Sequence, residues 1–91
     1  MSSIFRIIVL KSIVHRTVFY MIEINASFGQ RLRELMKEND TSQVALAGAI
    51  GYSQRSVSKW INFQSEPTAT AIVRCARYFD VSCGYILGTE D

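Results

Sequence analysis

The chain has 91 residues, 48% of them hydrophobic, with a single Pro and a formal net charge of +2. This length allows one small domain with a core near the lower limit for independent folding, and the apolar fraction excludes a disordered tail. Net charge alone does not mark a polyanion-binding protein, because residues 1–26 hold three bases and one acid while residues 27–91 hold seven of each.

Residues 1–26 form an N-terminal arm. Its opening run, Ile4–Leu10, superficially resembles a secretory signal, but Lys11 breaks it and no small-residue cleavage site follows. The next apolar run is interrupted by His15 and Arg16, and no segment reaches the length of a membrane span. Ile, Val, Phe, Tyr and Thr dominate Ile4–Leu10 and Val18–Ile24, which favours strand over helix. Two strands alone are marginal, so they need a partner chain or the body of the protein. Three readings stay open: a dimerising arm, an upstream-translated extension ahead of a start at Met21, and a segment lying on a membrane surface.

The first helix is expected from Ser27, where Ser27 and Gln30 make a capping box and Phe28, Leu32, Leu35 and Met36 form one apolar stripe. Arg31, Arg33, Glu34, Lys37 and Glu38 surround that stripe as a solvated face. Asn39-Asp40-Thr41 reads as a loop, and Ser42 caps the second helix.

The stretch Gln43–Asn62 organises the rest. Leu46, Ala47 and Ile50 share one helical face, and Val57, Trp60 and Ile61 share another. Between them, Gly51 can take the positive φ that ends a helix, and Ser53 can cap the next one. Two helices joined this tightly cross steeply, which turns the outer face of the second away from the body. Ala47 and Gly48 are expected to stay small where two helices approach closely.

That outer face carries Gln54, Arg55, Ser58 and Lys59, and from Thr41 to Ser65 there is no Asp or Glu. Arg55 and Lys59 lie four apart on one face, so their like charges cost a little stability, as suits a surface that meets a polyanion. Gln43 sits in the first turn of its helix, beside backbone N–H groups without helical partners. Such a site can hold a phosphate oxygen, and the alternative is an ordinary polar helix start. A major groove admits one helix, in which Gln54 can pair with adenine and Arg55 with guanine. Trp60 shares a face with Val57 and belongs to the core.

Gln43, Leu46-Ala47, Ile50-Gly51, Ser53, Val57 and Trp60 resemble the pattern of the lambda-repressor/Cro-like helix-turn-helix family, and the likeness runs from about Phe28 to Gly88. The resemblance implies an all-α, five-helix DNA-binding domain over 27–88, with the arm at 1–26 open to a β reading and a tail at 89–91. It implies that Gln54, Arg55 and Lys59 read bases. Gln43 is implied as a phosphate contact, and Ser42, Ser53, Ser58 and Asn62 join it as phosphate-side candidates. One departure stands out: Phe63 replaces the Gly expected to end the recognition helix, which leaves the loop's shape open between a ring packed beneath it and a ring exposed at an interface.

Gln64-Ser65-Glu66-Pro67 is a linker, and Pro67-Thr68 is a helix-start signal. A fourth helix is expected from about Thr70 to Phe79, with Ile72, Cys75, Ala76 and Phe79 inward and Arg74 and Arg77 outside. Asp80 tolerates a left-handed helix end. Ser82 caps a last short helix with Tyr85, Ile86 and Leu87, then Gly88. Tyr85 and Ile86 are candidates for a two-fold dimer contact, with Ile86 also a candidate for the core.

No catalytic set is legible. The single His15 lies in the arm without a nucleophile–base–acid partner set, and no Gly-rich phosphate loop exists. Cys75 and Cys83 are not at a zinc-ligand spacing, so no metal or cofactor is expected. A buried reduced thiol at Cys75 fits a cytoplasmic protein. The expected function is a sequence-specific double-stranded DNA-binding regulator of prokaryotic or phage type, a repressor, acting as a homodimer on a two-fold operator. The alternative on the same scaffold is an antitoxin or protein-interaction module that binds a partner protein and autoregulates its operon.

Overall fold

Every helix after the first begins where a hydroxyl side chain takes over a free backbone N–H. Ser42, Ser53, Thr68 and Ser82 lie in extended backbone and accept from the N–H of Ala45, Ser56, Ala71 and Tyr85. The computed structural model describes residues 26–90, which form α1 over 26–38, α2 at Gln43–Ile50, α3 at Gln54–Ile61, α4 at Ala69–Tyr78 and α5 at Cys83–Leu87. The strands expected at Ile4–Leu10 and Val18–Ile24 lie outside the described residues.

Two helix starts differ from expectation. α1 is already helical at residue 26, so Ser27 lies inside its first described turn instead of capping it. Ser27 packs against the far end of the fold: a Cβ on Gly88 would come within 2.7 Å of the Ser27 Cβ. α4 starts at Ala69 because Thr68, one residue earlier than expected, is its cap.

The helix ends follow one device. After α1, α3 and α4 a residue with positive φ turns the chain: Asp40 at 50°, Phe63 at 59° and Asp80 at 54°. In each case the N–H of the following residue reaches back to a carbonyl five positions earlier, Thr41 to Met36, Gln64 to Lys59 and Val81 to Ala76, at 2.8–2.9 Å. Gly51 at 76° ends α2, as its lack of a Cβ allows. Phe63 therefore keeps the backbone turn that a Gly would make, at a conformational cost on the order of 1 kcal/mol. Its ring lies over α1, where a Cβ on Gly29 would meet the Phe63 ring at 2.7 Å, yet the residue stays 54% exposed.

The apolar stripes meet in one core. Phe28, Leu32, Leu35 and Met36 of α1, Leu46, Ala47 and Ile50 of α2, and Val57, Trp60 and Ile61 of α3 are all buried. α4, which packs on α2 and α5, contributes Ala71, Cys75 and Ala76, while the expected Ile72 and Phe79 are only partly buried. A fully buried alanine at Ala71 lets α4 lie close to its neighbours, which moves the larger side chains toward the rim.

Close approach is located at Gly29 rather than at Gly48. A Cβ on Gly29 would come within 2.4 Å of the Trp60 carbonyl oxygen, so α1 and α3 touch through that glycine. Gly48 is exposed, and a Cβ there would meet nothing within 4 Å, which overturns its expected packing role.

Two arginines tie the central pair of helices to the flanking ones. Arg33 of α1 donates from Nη2 to the Ile61 carbonyl at 2.9 Å, and Arg74 of α4 donates from Nη1 to the Ile50 carbonyl at 3.0 Å. Both acceptors are last-turn carbonyls without helical donors, at the negative end of the helix dipole. Cationic side chains from outside thus cap the C-terminal ends of α2 and α3.

Cys75 is fully buried, and desolvation pushes its thiol from 9.0 up to about 12. The unfolded chain ionises this thiol above about pH 9 while the folded chain keeps the proton, so its contribution to stability is complete below that pH and is lost as pH rises toward 12.

Three stability measurements check this packing. Gly29→Ala should lower the free energy of unfolding by about 1–3 kcal/mol through overpacking, whereas Gly48→Ala should raise it by about 0.5–1 kcal/mol through helix propensity. Urea unfolding resolves the opposite signs. Arg33→Ala should cost about 1 kcal/mol by leaving the end of α3 without its donor. Raising the pH from neutral to ~10.5 should destabilise the wild type more than Cys75→Ala, by up to about 2 kcal/mol.

Candidate nucleic-acid interface

With Leu46, Ala47 and Ile50 inward on α2 and Val57, Trp60 and Ile61 inward on α3, the opposite edges of the two helices are left outside. On α3 that edge presents Gln54 and Arg55, both exposed, and Ser58 and Lys59, both half-buried. Lys59 lies in the last turn, where the helix dipole favours a cation, but Arg55 lies in the first, where it does not. Neither α2 nor α3 has an acid in its first turn to offset the positive helix end. Of the two cations, only Arg55 is placed against the helix dipole.

The N-terminal ends of α2 and α3 meet through their glutamines. Gln54 Nε2 donates to Gln43 Oε1 at 3.0 Å. The bond spends one N–H of Gln54 and leaves its Oε1 and its second N–H in a plane set by Gln43. The residue expected at a phosphate and the residue expected at a base are therefore one coupled pair. Gln43 is half-buried, and Gln54 stands further out.

The hydroxyl candidates divide. Ser42 Oγ accepts from Ala45 N–H at 3.0 Å, and its own O–H remains available to donate outward. Ser53 Oγ accepts from Ser56 N–H at 3.1 Å and lies 3.0 Å from Ser56 Oγ. Asn62 turns back instead of outward: its Nδ2 donates to the Ser58 carbonyl at 2.9 Å and to Ser58 Oγ at 3.3 Å. In this arrangement the amide nitrogen expected at a phosphate is engaged with Ser58 of its own helix. Ser58 is correspondingly the acceptor of the pair.

The two dimer candidates also part company. Ile86 is fully buried in the core, so its side chain offers nothing to a second subunit. Tyr85 is half-buried, with the Arg31 guanidinium carbon 4.5 Å from its ring centroid, a cation–π arrangement that joins α5 to α1.

Sequence reading missed what holds α3 at its angle. The Trp60 ring is met edge-on by Tyr52 at 5.2 Å and by Phe28 at 6.1 Å, and the Tyr52 hydroxyl lies 2.6 Å from Thr68 Oγ1, the cap of α4. Tyr52 was legible only as a turn residue. No spacing rule links it to Thr68, sixteen positions away. Among the described residues no three of His, Cys, Asp and Glu gather as a metal site, and no helix is long and apolar enough to cross a membrane.

Comparison with known proteins agrees with this geometry. A sequence profile of the helix-turn-helix family matches residues 32–86. The chain is 37% identical over 62 residues to YobD of Bacillus subtilis strain 168, an uncharacterized HTH-type transcriptional regulator, covering 68% of this chain and 55% of YobD. It thus spans about half the length of that relative. Among solved structures it is similar to the restriction-modification controller protein C.AhdI from Aeromonas hydrophila, with a TM-score of 0.64 and 29% identity over 68% of this chain and 94% of that one. It is also similar to apo-HppE, with a TM-score of 0.62 and 25% identity over 68% of this chain and 35% of that one. The profile match runs from α1 through α5 and takes in more than half of the residues: the chain belongs to the helix-turn-helix family, in the lambda-repressor/Cro-like form that Gln43–Trp60 resembles.

Proposed function

We propose that the chain binds double-stranded DNA in a sequence-specific way and represses transcription, with residues 27–88 as the binding unit and α3 laid in the major groove. The observation that carries this reading is the outer edge of α3, where Gln54, Arg55 and Lys59 stand together in a stretch without carboxylates and Gln43 braces Gln54. Gln54 retains an acceptor and a donor, the two groups that an adenine edge complements, and Arg55 carries the fork that matches guanine. Lys59, one turn along, serves a base edge or the adjoining phosphate.

The ends of α2 and α3 meet the phosphates. Unpaired N–H groups at both N-termini, the Ser42 and Ser53 hydroxyls and Gln43 supply donors there, and the positive helix ends favour an anion. One chain makes too few contacts for useful affinity at cellular salt, so two copies bind about a two-fold axis with Tyr85 at their contact. Their α3 helices then fall in successive major grooves, roughly 34 Å apart. The setting is the cytoplasm, where Cys75 and Cys83 stay reduced.

Selection of bound duplexes from random DNA should return a two-fold symmetric site. On that site, affinity should fall steeply with added salt, and Arg55→Ala should cost about 1–3 kcal/mol at one base pair while leaving the other positions discriminated. Gln43→Ala should relax the position read by Gln54. Undiminished duplex binding after Gln54, Arg55 and Lys59 all become Ala would overturn the assignment.

A further inference from the structure

A second cationic surface lies at the opposite end of α2 from the glutamine pair. The C-terminal half of α2 and the outer face of α4 enclose an open groove of about 540 Å³, with Gly48, Ala49 and Gly51 on one side and Arg74, Arg77 and Tyr78 on the other. A second hollow of about 300 Å³ shares Arg74 and Arg77 and continues along α4 over Val73. Gly48 leaves room, since a Cβ there would meet nothing within 4 Å. Tyr78 is 44% exposed and Val73 36%, so the lining is apolar and open.

Charge singles out the occupant. No Asp or Glu occurs from Thr41 to Ser65 or from Pro67 to Phe79, so the segments that form the groove carry cations and no anion. Arg74 is held in place by its bond to the Ile50 carbonyl and keeps its other N–H groups for a ligand. Arg77, one turn further along, is exposed. A sugar-phosphate backbone would gain from the guanidinium groups and nothing from Val73, Ala49 or the Tyr78 ring. A peptide that alternates carboxylates with apolar side chains gains from both.

We propose that this groove docks an acidic, apolar-anchored peptide segment of a partner protein. The groove lies about 10 Å from the Gln43–Gln54 junction along α2, and its lining shares no residue with the outer edge of α3. The proposal does not rest on the DNA-binding reading.

The test is selection of peptides from a random phage-displayed library by the full chain, followed by affinity measurement of an enriched peptide in solution. Enrichment of sequences in which Asp or Glu sits beside Leu, Ile or Phe is expected. Arg77→Glu should weaken the enriched peptide about tenfold or more, and Gly48→Leu should block it by filling the groove while all charges remain. Both variants should keep the wild-type affinity for duplex DNA. No enrichment, enrichment of basic or uncharged sequences, or peptides that bind both variants as well as the wild type would each overturn the proposal. Loss of duplex binding in Arg77→Glu would overturn it too, by assigning the face to DNA.

Discussion

Trp60 fixes the geometry on which everything else depends. It is buried between an edge of Phe28 from α1 and an edge of Tyr52 from the turn, contacts worth about 0.5–1.5 kcal/mol each beyond the burial itself. Its own carbonyl rests against Gly29, so backbone as well as side chain is pinned to α1. Trp60 held from two directions and Ile61 tied through Arg33 set the roll of α3. The edge that carries Gln54, Arg55 and Lys59 is outside because the opposite edge is locked inside.

The cations of this domain serve two kinds of purpose, and net charge conceals the difference. Arg33 and Arg74 cap helix C-termini and Arg31 lies on the Tyr85 ring, so these side chains complete the fold. Arg55, Lys59 and Arg77 stand on helix faces where no described contact explains them, and no acid occurs from Thr41 to Ser65 or from Pro67 to Phe79. Residues 27–91 are neutral in total, yet the seven acids are kept to α1, its loop, Glu66, the Asp80 turn and the last two residues. Where charge is placed, rather than how much there is, separates these faces from the rest.

Phe63 shows how a departure from a family pattern is absorbed. The left-handed turn after α3 survives without glycine because two backbone hydrogen bonds close it, from Phe63 to Trp60 and from Gln64 to Lys59. The ring then covers Gly29, the point at which α1 and α3 touch. Asp40 and Asp80 show the same turn with side chains that tolerate it more readily.

Local chemistry was enough to read much of this protein from its residues. The hydroxyl caps at Ser42, Ser53 and Ser82, the Gly51 turn, the Asp80 helix end and the inward stripes of α1, α2 and α3 each depend on neighbours within about one helical turn, which a linear pattern contains. The exposed edge of α3 followed from the same periodicity, together with the carboxylate-free stretch. What only the folded chain decided involves partners far apart in sequence. Arg33 reaches Ile61, Arg74 reaches Ile50, Tyr52 reaches Thr68, and Gly29, not Gly48, marks the close contact. Such pairs leave no periodic trace, because any exposed arginine or glycine reads alike until the helices are packed.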